Sequence, residues 1–400
     1  MIDLLWLLLP IAAASGWWAA RYQKRPQSIN SSLSPDYFKG LNYLLNEDPD
    51  KAIDVFIKLI EVDSDTVETH LALGVLFRRS GEVNRAIRIH QNLIRRTTLH
   101  PQQRSLALFE LGQDYQNAGL LDRAEELFQE LVASNTHRVL ALRQLLAIYQ
   151  QEQDWEKAIR TAQQLALANN EHKHTDLGIS CFTKKISSNI AQYHCEQAED
   201  YRRQGQGDAA QQAITNALKT DPNCVLRASL LEGQLALERR NQKQAIYAFA
   251  RVEQQDPDYL TEVIEPLQTC YQAIGQPDEF VRYLRHVLER YGSVTPMLVL
   301  AKMIKLQQGE QQAADFIVKQ MHKRPSLRGL DYLLDLALSK TDSITREHLL
   351  LLKDMTTQLL ENKPAYKCRH CGFTARRLHW QCPSCKQWNT LKPVQGIDGE

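Results

Sequence analysis

A single spacing recurs along most of this chain and restricts its fold more than any other feature. At four places a glycine precedes an alanine by twelve residues, namely Gly40–Ala52, Gly74–Ala86, Gly112–Ala124 and Gly233–Ala245. The alanines at positions 52, 86, 124, 158, 210, 245 and 314 are mostly 34 or 35 residues apart, and Phe280 takes the place of one of them. Because several positions in each period agree in phase, the sequence predicts a repeat architecture.

The stretch Thr69–Ile94 indicates what each period encodes. Its apolar residues form two helical stripes, and Gly81 lies between them, where one helix must end and the chain must turn. Helix–turn–helix units with a period near ~34 residues are the signature of tetratricopeptide repeats. We therefore predict an all-α tetratricopeptide-repeat superhelix, with about eight to nine repeats.

The array is interrupted by an insertion near residues 169–186, which we predict to be a solvated loop. His172, His174 and Cys181 lie there, but their spacing does not indicate a metal site. Three other cysteines fall within helical patterns, where a free cysteine behaves as a small buried hydrophobe. They are Cys195, Cys224 and Cys270.

The N-terminal segment Leu4–Ala20 carries no charge and would span roughly 26 Å as a helix, which is just enough for a bilayer core. Arg21, Lys24 and Arg25 follow it, so the positive-inside rule places the rest of the chain in the cytoplasm. A cleaved signal peptide is the alternative, but it would begin with basic residues, and the only early charge here is Asp3. The sequence therefore favours an uncleaved, single-pass membrane anchor.

The strongest chemical signal is a pair of C-x-x-C motifs near the C-terminus, separated by ten residues. Each motif can form a tight turn that presents two thiolates, and two such turns complete a tetrahedron around one metal ion. The predicted metal ligands are Cys368, Cys371, Cys382 and Cys385. Four sulfur ligands fit iron or zinc, leave no open position for hydrolysis, and require a reducing compartment. His370 and His379 are interpreted as bystanders.

Three aromatic residues, Phe373, Trp380 and Trp388, surround the cysteine motifs. Two interpretations are open for them. They pack onto the metal-binding turns, or they dock the small module against the repeat array.

Charge and motif content narrow the function. The formal net charge of the chain is only +1, which argues against a general nucleic-acid-binding surface but allows a local basic patch. No nucleophile–base set or phosphate-binding glycine loop is present in the sequence, so we predict a protein-binding scaffold rather than an enzyme. Two alternatives are a redox protein that uses the four cysteines and a nucleic-acid-binding ribbon. The basic face of such a nucleic-acid-binding ribbon would be formed by Arg376, Arg377, Lys386 and Lys392.

Three stretches carry a resemblance to a known family: LLPIAAASGWW at 8–18, GEVNRAIRIHQNLI at 81–94, and CRHCGFTARRLHWQCPSCKQWNTLKPVQGIDG at 368–399. In this order they resemble the bacterial lipopolysaccharide assembly protein B family. One departure is Lys386, which stands where a typical rubredoxin has glycine.

The resemblance implies a single-pass protein of the bacterial inner membrane, with its C-terminal bulk in the cytoplasm, that regulates lipopolysaccharide biosynthesis. It implies that the chain acts with the FtsH protease to promote proteolysis of the LpxC deacetylase, and that an inner-membrane lipopolysaccharide sensor restrains it. It also implies a rubredoxin-like site, in which iron is expected, at Cys368, Cys371, Cys382 and Cys385.

The predicted domains are a transmembrane anchor at 1–22, with residues 4–20 in the membrane, a linker at 23–34, tetratricopeptide repeats at 35–362 and a rubredoxin-like or zinc-ribbon module at 364–400.

Overall fold

A computed structural model of the chain describes residues 39, 42, 43, 51 and 55, and then 67–96, 99–171, 176–221, 225–339, 343–361, 363–397 and 399. The chain divides into two compact units, residues 1–144 and 145–400, with the division inside one helix. The predicted anchor and linker, at 1–22 and 23–34, lie outside the described residues. None of the described helices is both long and apolar enough to cross a bilayer.

From residue 67 on, the described helices of the first unit are α1 (Val67–Arg79), α2 (Val83–Ile94), α3 (Pro101–Asn117) and α4 (Leu121–Ala133), and α5 (Arg138–Glu152) crosses the division. Three-residue turns join α1 to α2 and α3 to α4, so each pair forms a helical hairpin. A buried polar cluster links α1, α2 and α3. Arg78 contacts Asp114 at 2.8 Å, and His90 Nδ1 lies 2.5 Å from the other oxygen of the same carboxylate.

Eleven further helices lie in the described residues of the second unit. They are α6 (Trp155–Glu171), α7 (Asp176–Arg203), α8 (Gly207–Thr220), α9 (Val225–Glu238), α10 (Gln242–Gln255), α11 (Leu260–Ala273), α12 (Pro277–Tyr291), α13 (Val294–Gln308), α14 (Glu310–Lys323), α15 (Leu327–Leu338) and α16 (Ser343–Glu361). A 3-10 turn, Pro257–Tyr259, precedes α11.

The recurring glycines leave room for a ring that lies sixteen residues later on the following helix. A Cβ on Gly112 would approach Phe128 to 2.7 Å, and one on Gly233 would approach Phe249 to 2.4 Å. The recurring alanines pack in the same interfaces, since Ala86, Ala124, Ala158, Ala210 and Ala245 are at most 1% exposed. The recurring glycines and alanines therefore mark the positions where two helices approach each other closely.

Two details of the sequence interpretation are wrong. The described residues of the insertion at 169–186 are helical rather than a loop, because α6 extends to Glu171 and α7, 28 residues long, begins at Asp176. Apolar residues at 179, 182, 186 and 190 keep a helical period there, which explains the extension. In the seventh described pair the buried small residue is Ala313 rather than Ala314, because Gly309 alone joins α13 to α14 and shifts the register by one residue.

Cys195 and Cys270 are fully buried within helices, as predicted. Cys224, His172 and His174 lie outside the described residues. The backbone of Cys181 belongs to α7.

The C-terminal module follows α16 as a small antiparallel sheet, which we call the ribbon (residues 366–394). Its strands are β1 (Tyr366–Cys368), β2 (Thr374–Ala375) and β3 (Leu391–Pro393), in the order β2-β1-β3. The register pairs Tyr366 with Ala375 on one side of β1 and Cys368 with Leu391 on the other. This pairing fixes Cys368 at the start of the first cysteine motif, and a separate bridge between Gln381 and Trp388 brackets the second motif.

Candidate metal centre

The structure brings the four predicted cysteines of the ribbon together. Their sulfur atoms all lie within 4.8 Å of one another. Cys368 Sγ is 3.8 Å from Cys385 Sγ, and Cys371 Sγ is 3.7 Å from Cys382 Sγ. A tetrahedron with metal–sulfur bonds of about 2.3 Å has edges of about 3.8 Å, so the sulfur positions fit one metal ion with four thiolate ligands.

The two C-x-x-C turns repeat the same backbone hydrogen bonds. The N–H of Gly372 donates to the carbonyl oxygen of Cys368 at 3.0 Å, and the N–H of Lys386 donates to the carbonyl oxygen of Cys382 at 2.9 Å. Gly372 and Lys386 both have left-handed backbones, with φ of 79° and 56°. Lys386 therefore adopts the conformation for which glycine is favoured. Its side chain replaces glycine in the sequence without changing the shape of the turn.

The surroundings of the sulfur atoms give the thiols of Cys368 and Cys385 different pKa values. Burial opposes ionisation of Cys368, but the Thr390 hydroxyl and the backbone N–H groups of Cys371 and His370 lower its pKa to about 6. At Cys385 the backbone N–H of Gln387 lowers the pKa, whereas burial and the three neighbouring sulfurs raise it, and the result is about 11. Four thiolates this close repel one another, and a cation relieves that repulsion.

The ribbon docks against helices of the second unit through its two tryptophans. Trp380 stacks on Tyr259, with ring centroids 5.7 Å apart, and Trp388 meets Tyr193 edge-on at 5.9 Å. The Arg227 guanidinium lies 5.3 Å from the centre of the Trp380 ring and 5.9 Å from that of Trp388. One buried arginine of the array therefore contacts both tryptophan side chains of the ribbon.

Polar contacts fix the orientation of the docked ribbon. The buried Tyr259 hydroxyl donates to the Leu391 carbonyl oxygen at 2.7 Å, and Arg369 pairs with Asp258 at 2.8 Å. Lys392 pairs with Asp256 beside them. Burial raises the pKa of Tyr259, and the nearby carboxylates, of which Asp256 has the largest effect, raise it further. The hydroxyl therefore keeps the proton that it donates.

The aromatic residues follow both interpretations that the sequence left open. Phe373 packs against the cysteine cluster, whereas Trp380 and Trp388 dock on the array. Neither His370 nor His379 is among the clustered ligand groups of the described residues.

Sequence reasoning missed the array residues that receive the ribbon: Tyr193, Arg227, Asp256, Asp258 and Tyr259. Tyr193 and Arg227 follow the helical pattern of their neighbours, and the other three lie at the turn between α10 and α11, so no local signal distinguishes them.

A cavity of about 750 Å³ opens beside the ribbon, and we call it the ribbon-side cavity. Residues of α11, α13 and α15 line one side, and Tyr366 and Pro393 of the ribbon line another. Charges of both signs reach it, including those of Glu265, Lys302 and Arg328. Its volume is in the range of binding pockets in proteins.

These features define a tetratricopeptide-repeat protein that carries a four-cysteine ribbon docked on its array. Family models agree, with a rubredoxin metal binding domain at residues 366–393 and tetratricopeptide repeats at 69–105 and 195–259. Lipopolysaccharide assembly protein B of Escherichia coli strain K12 is 38% identical over 402 residues and covers 100% of both chains. The Haemophilus influenzae protein of the same name is 36% identical over 408 residues and 98% of both chains. The chain belongs to the lipopolysaccharide assembly protein B family.

Proposed function

We propose that this chain is a membrane-anchored adaptor that regulates lipopolysaccharide assembly without catalysing a reaction itself. Its relatives carry lipopolysaccharide assembly in their names. By resemblance to that family, its partners are the FtsH protease, the LpxC deacetylase and an inner-membrane lipopolysaccharide sensor. The adaptor presents LpxC to FtsH and so promotes proteolysis of the deacetylase.

The observation that carries the proposal is the ribbon-side cavity. Helices of the array and strands of the ribbon both line it, so its shape depends on the docked position of the ribbon. Its mixed charge suits a segment of another polypeptide, and stacked helical repeats commonly provide such surfaces. The metal-stabilised ribbon thus completes a protein-binding site on the array.

The membrane anchor supplies the second element of the mechanism. We assign residues 1–22 to an inner-membrane span, 23–34 to a tether, 35–362 to the repeats and 364–400 to the ribbon module, with the last two in the cytoplasm. Confinement to the membrane surface raises the effective concentration of the array near a membrane protease. A span is also a surface through which a membrane-embedded sensor can act.

We further propose that Cys368, Cys371, Cys382 and Cys385 hold one iron or zinc ion. When bound, the ion supplies folding free energy to a segment too small to bury a sufficient core. The residues of the ribbon then orient Trp380 and Trp388 toward the array. The role of the site is therefore structural.

The half-life of LpxC in cells tests the adaptor function. We compare the full chain, a chain that begins at residue 21, and a chain whose first 20 residues are replaced by an unrelated single-pass span. Loss of the anchor should lengthen the half-life of LpxC, and the unrelated span should restore fast turnover while removing control by the sensor. An equally short half-life with the unanchored chain would refute the tethering mechanism.

A further inference from the structure

A second cavity lies on the other side of α13, away from the ribbon-side cavity. It has a volume of about 570 Å³ and is lined by α12, α13 and α14; we call it the basic cleft. At 100° per residue, Val299 and Lys302, which face the ribbon-side cavity, lie on the opposite side of α13 from Met297, Leu300 and Ile304, which face the basic cleft. The two cavities are therefore separate sites.

The floor of the basic cleft is apolar. Val294, Met297 and Leu300 reach it from α13 and are only 7%, 4% and 1% exposed. Phe316 of α14 lies beside them. A flexible methionine and an aromatic ring form a surface that can adapt to an inserted apolar side chain.

The rim of the cleft carries four cationic side chains, Arg285, Lys319, Lys323 and Arg324, and one carboxylate, Glu289. Within the described part of the chain, Arg285, Lys319 and Lys323 form no ion pair. The formal net charge of the whole chain is only +1, so this concentration of positive charge is local.

Arg324 is built into the rim. Its guanidinium donates to the Tyr291 carbonyl oxygen at the C-terminal end of α12. It lies directly over Gly292, where a Cβ would approach Arg324 Nη1 to 2.2 Å. Gly292 thus permits the arginine to cross the end of α12 and remain at the mouth of the cleft.

We propose that the basic cleft binds an acidic peptide segment of a partner protein, with one apolar side chain inserted between α12 and α14. The basic rim complements Asp and Glu side chains, and the apolar floor receives the anchor residue. Six of the thirteen lining residues are polar or charged, which suits a peptide with a polar backbone better than an acyl chain. The proposal rests on the adaptor function and gives the chain a second protein-binding site.

The test is a selection from a random dodecapeptide display library on the full chain in nanodiscs, followed by fluorescence anisotropy with the enriched peptides. The rim variant combines Arg285→Glu with Lys319→Glu. The matched control combines Arg282→Glu with Lys243→Glu, which reverses the same charge at exposed positions outside both the basic cleft and the ribbon-side cavity. A third variant, Ile304→Trp, fills the floor, and circular dichroism checks that each variant is folded.

We expect enrichment of peptides that combine Asp or Glu with Leu, Phe or Trp. The rim variant should weaken their binding by about tenfold or more, and the control by less than about twofold. The Ile304→Trp variant should also weaken it, and added salt should lower the affinity for the wild-type chain.

The proposal is overturned if no enriched peptide depends on the rim, or if the enriched peptides are not acidic. It is also overturned in favour of a lipid-like ligand if dodecyl phosphate binds in a rim-dependent way while no peptide does. None of these outcomes affects the proposed turnover of LpxC, because the LpxC half-life assay changes only the anchor.

Discussion

Several helix pairs depend on small residues at their closest approach. Gly112 leaves the space that Phe128 fills, and Phe128 is fully buried. His90 fills the corresponding space beside Gly74, where a Cβ would approach its ring to 2.3 Å. The recurring glycines therefore predict close helix packing from the sequence alone, because a ring packed against a backbone leaves no space for a larger residue.

We predict that Gly112→Ala destabilises the first unit. The added methyl group would lie 2.7 Å from the Phe128 ring, so the ring or the helices must shift. Overpacking of this kind typically costs about 1–3 kcal/mol. Urea denaturation measures the loss, and Asn117→Ala, an exposed change on the same helix, should leave the midpoint nearly unchanged. A midpoint for Gly112→Ala equal to that of the control would contradict the packing account.

We also predict that Cys382→Ser removes the metal ion and unfolds the ribbon. Serine does not supply a thiolate at a position that is fully buried. Elemental analysis should show metal bound to the wild-type chain and almost none in this variant. Cys270→Ser is the matched control, since Cys270 is equally buried but lies in α11, and it should keep its metal. Full metal content in Cys382→Ser would rule out the four-sulfur site.

At the scale of elements, local patterns predicted the helices well and the connections poorly. The period indicated paired helices, and the structure has them. The polar residues before Ile186 are typical of a loop, but they lie among apolar residues whose helical spacing continues along α7. The one-residue shift to Ala313 depends on the turn at Gly309, and helical periodicity does not determine turn length.

Among the array residues that contact the ribbon, Arg227 is the one on which docking most depends. We predict that Arg227→Ala loosens the ribbon, because it removes two cation–π contacts and leaves Glu196, 2.9 Å away, without this partner. Each cation–π contact is worth about 0.5–2 kcal/mol. Hydrogen exchange of the β3 amides should become faster, and the emission of Trp380 and Trp388 should shift to longer wavelength.

The control for that change is Arg203→Ala. Arg203 is exposed and pairs with Glu199 on its own helix, so its removal should leave β3 exchange unchanged. If Arg227→Ala exchanged as slowly as the control, docking would depend on other contacts.

Across the described part of the whole molecule, the sequence predicted the repeats and the four-cysteine ribbon but not how the ribbon docks on the array. The four cysteines are close in sequence, so their spacing alone indicated a shared site. The hydrogen bond between Tyr259 and Leu391 joins residues 132 positions apart, and helical periodicity does not predict contacts over such a distance in sequence. The ribbon-side cavity forms from these distant contacts, which is why it could not be predicted.

We propose that an anchored array brings LpxC to FtsH. The decisive measurement is the rate of LpxC proteolysis by FtsH in proteoliposomes, with the full chain, the chain from residue 21 at the same bulk concentration, or no added chain. Under this proposal, proteolysis should be several-fold faster with the full chain than in either other case, because anchoring raises the local concentration of the adaptor. Equal rates in all three reactions, or equal acceleration by the unanchored chain, would contradict it.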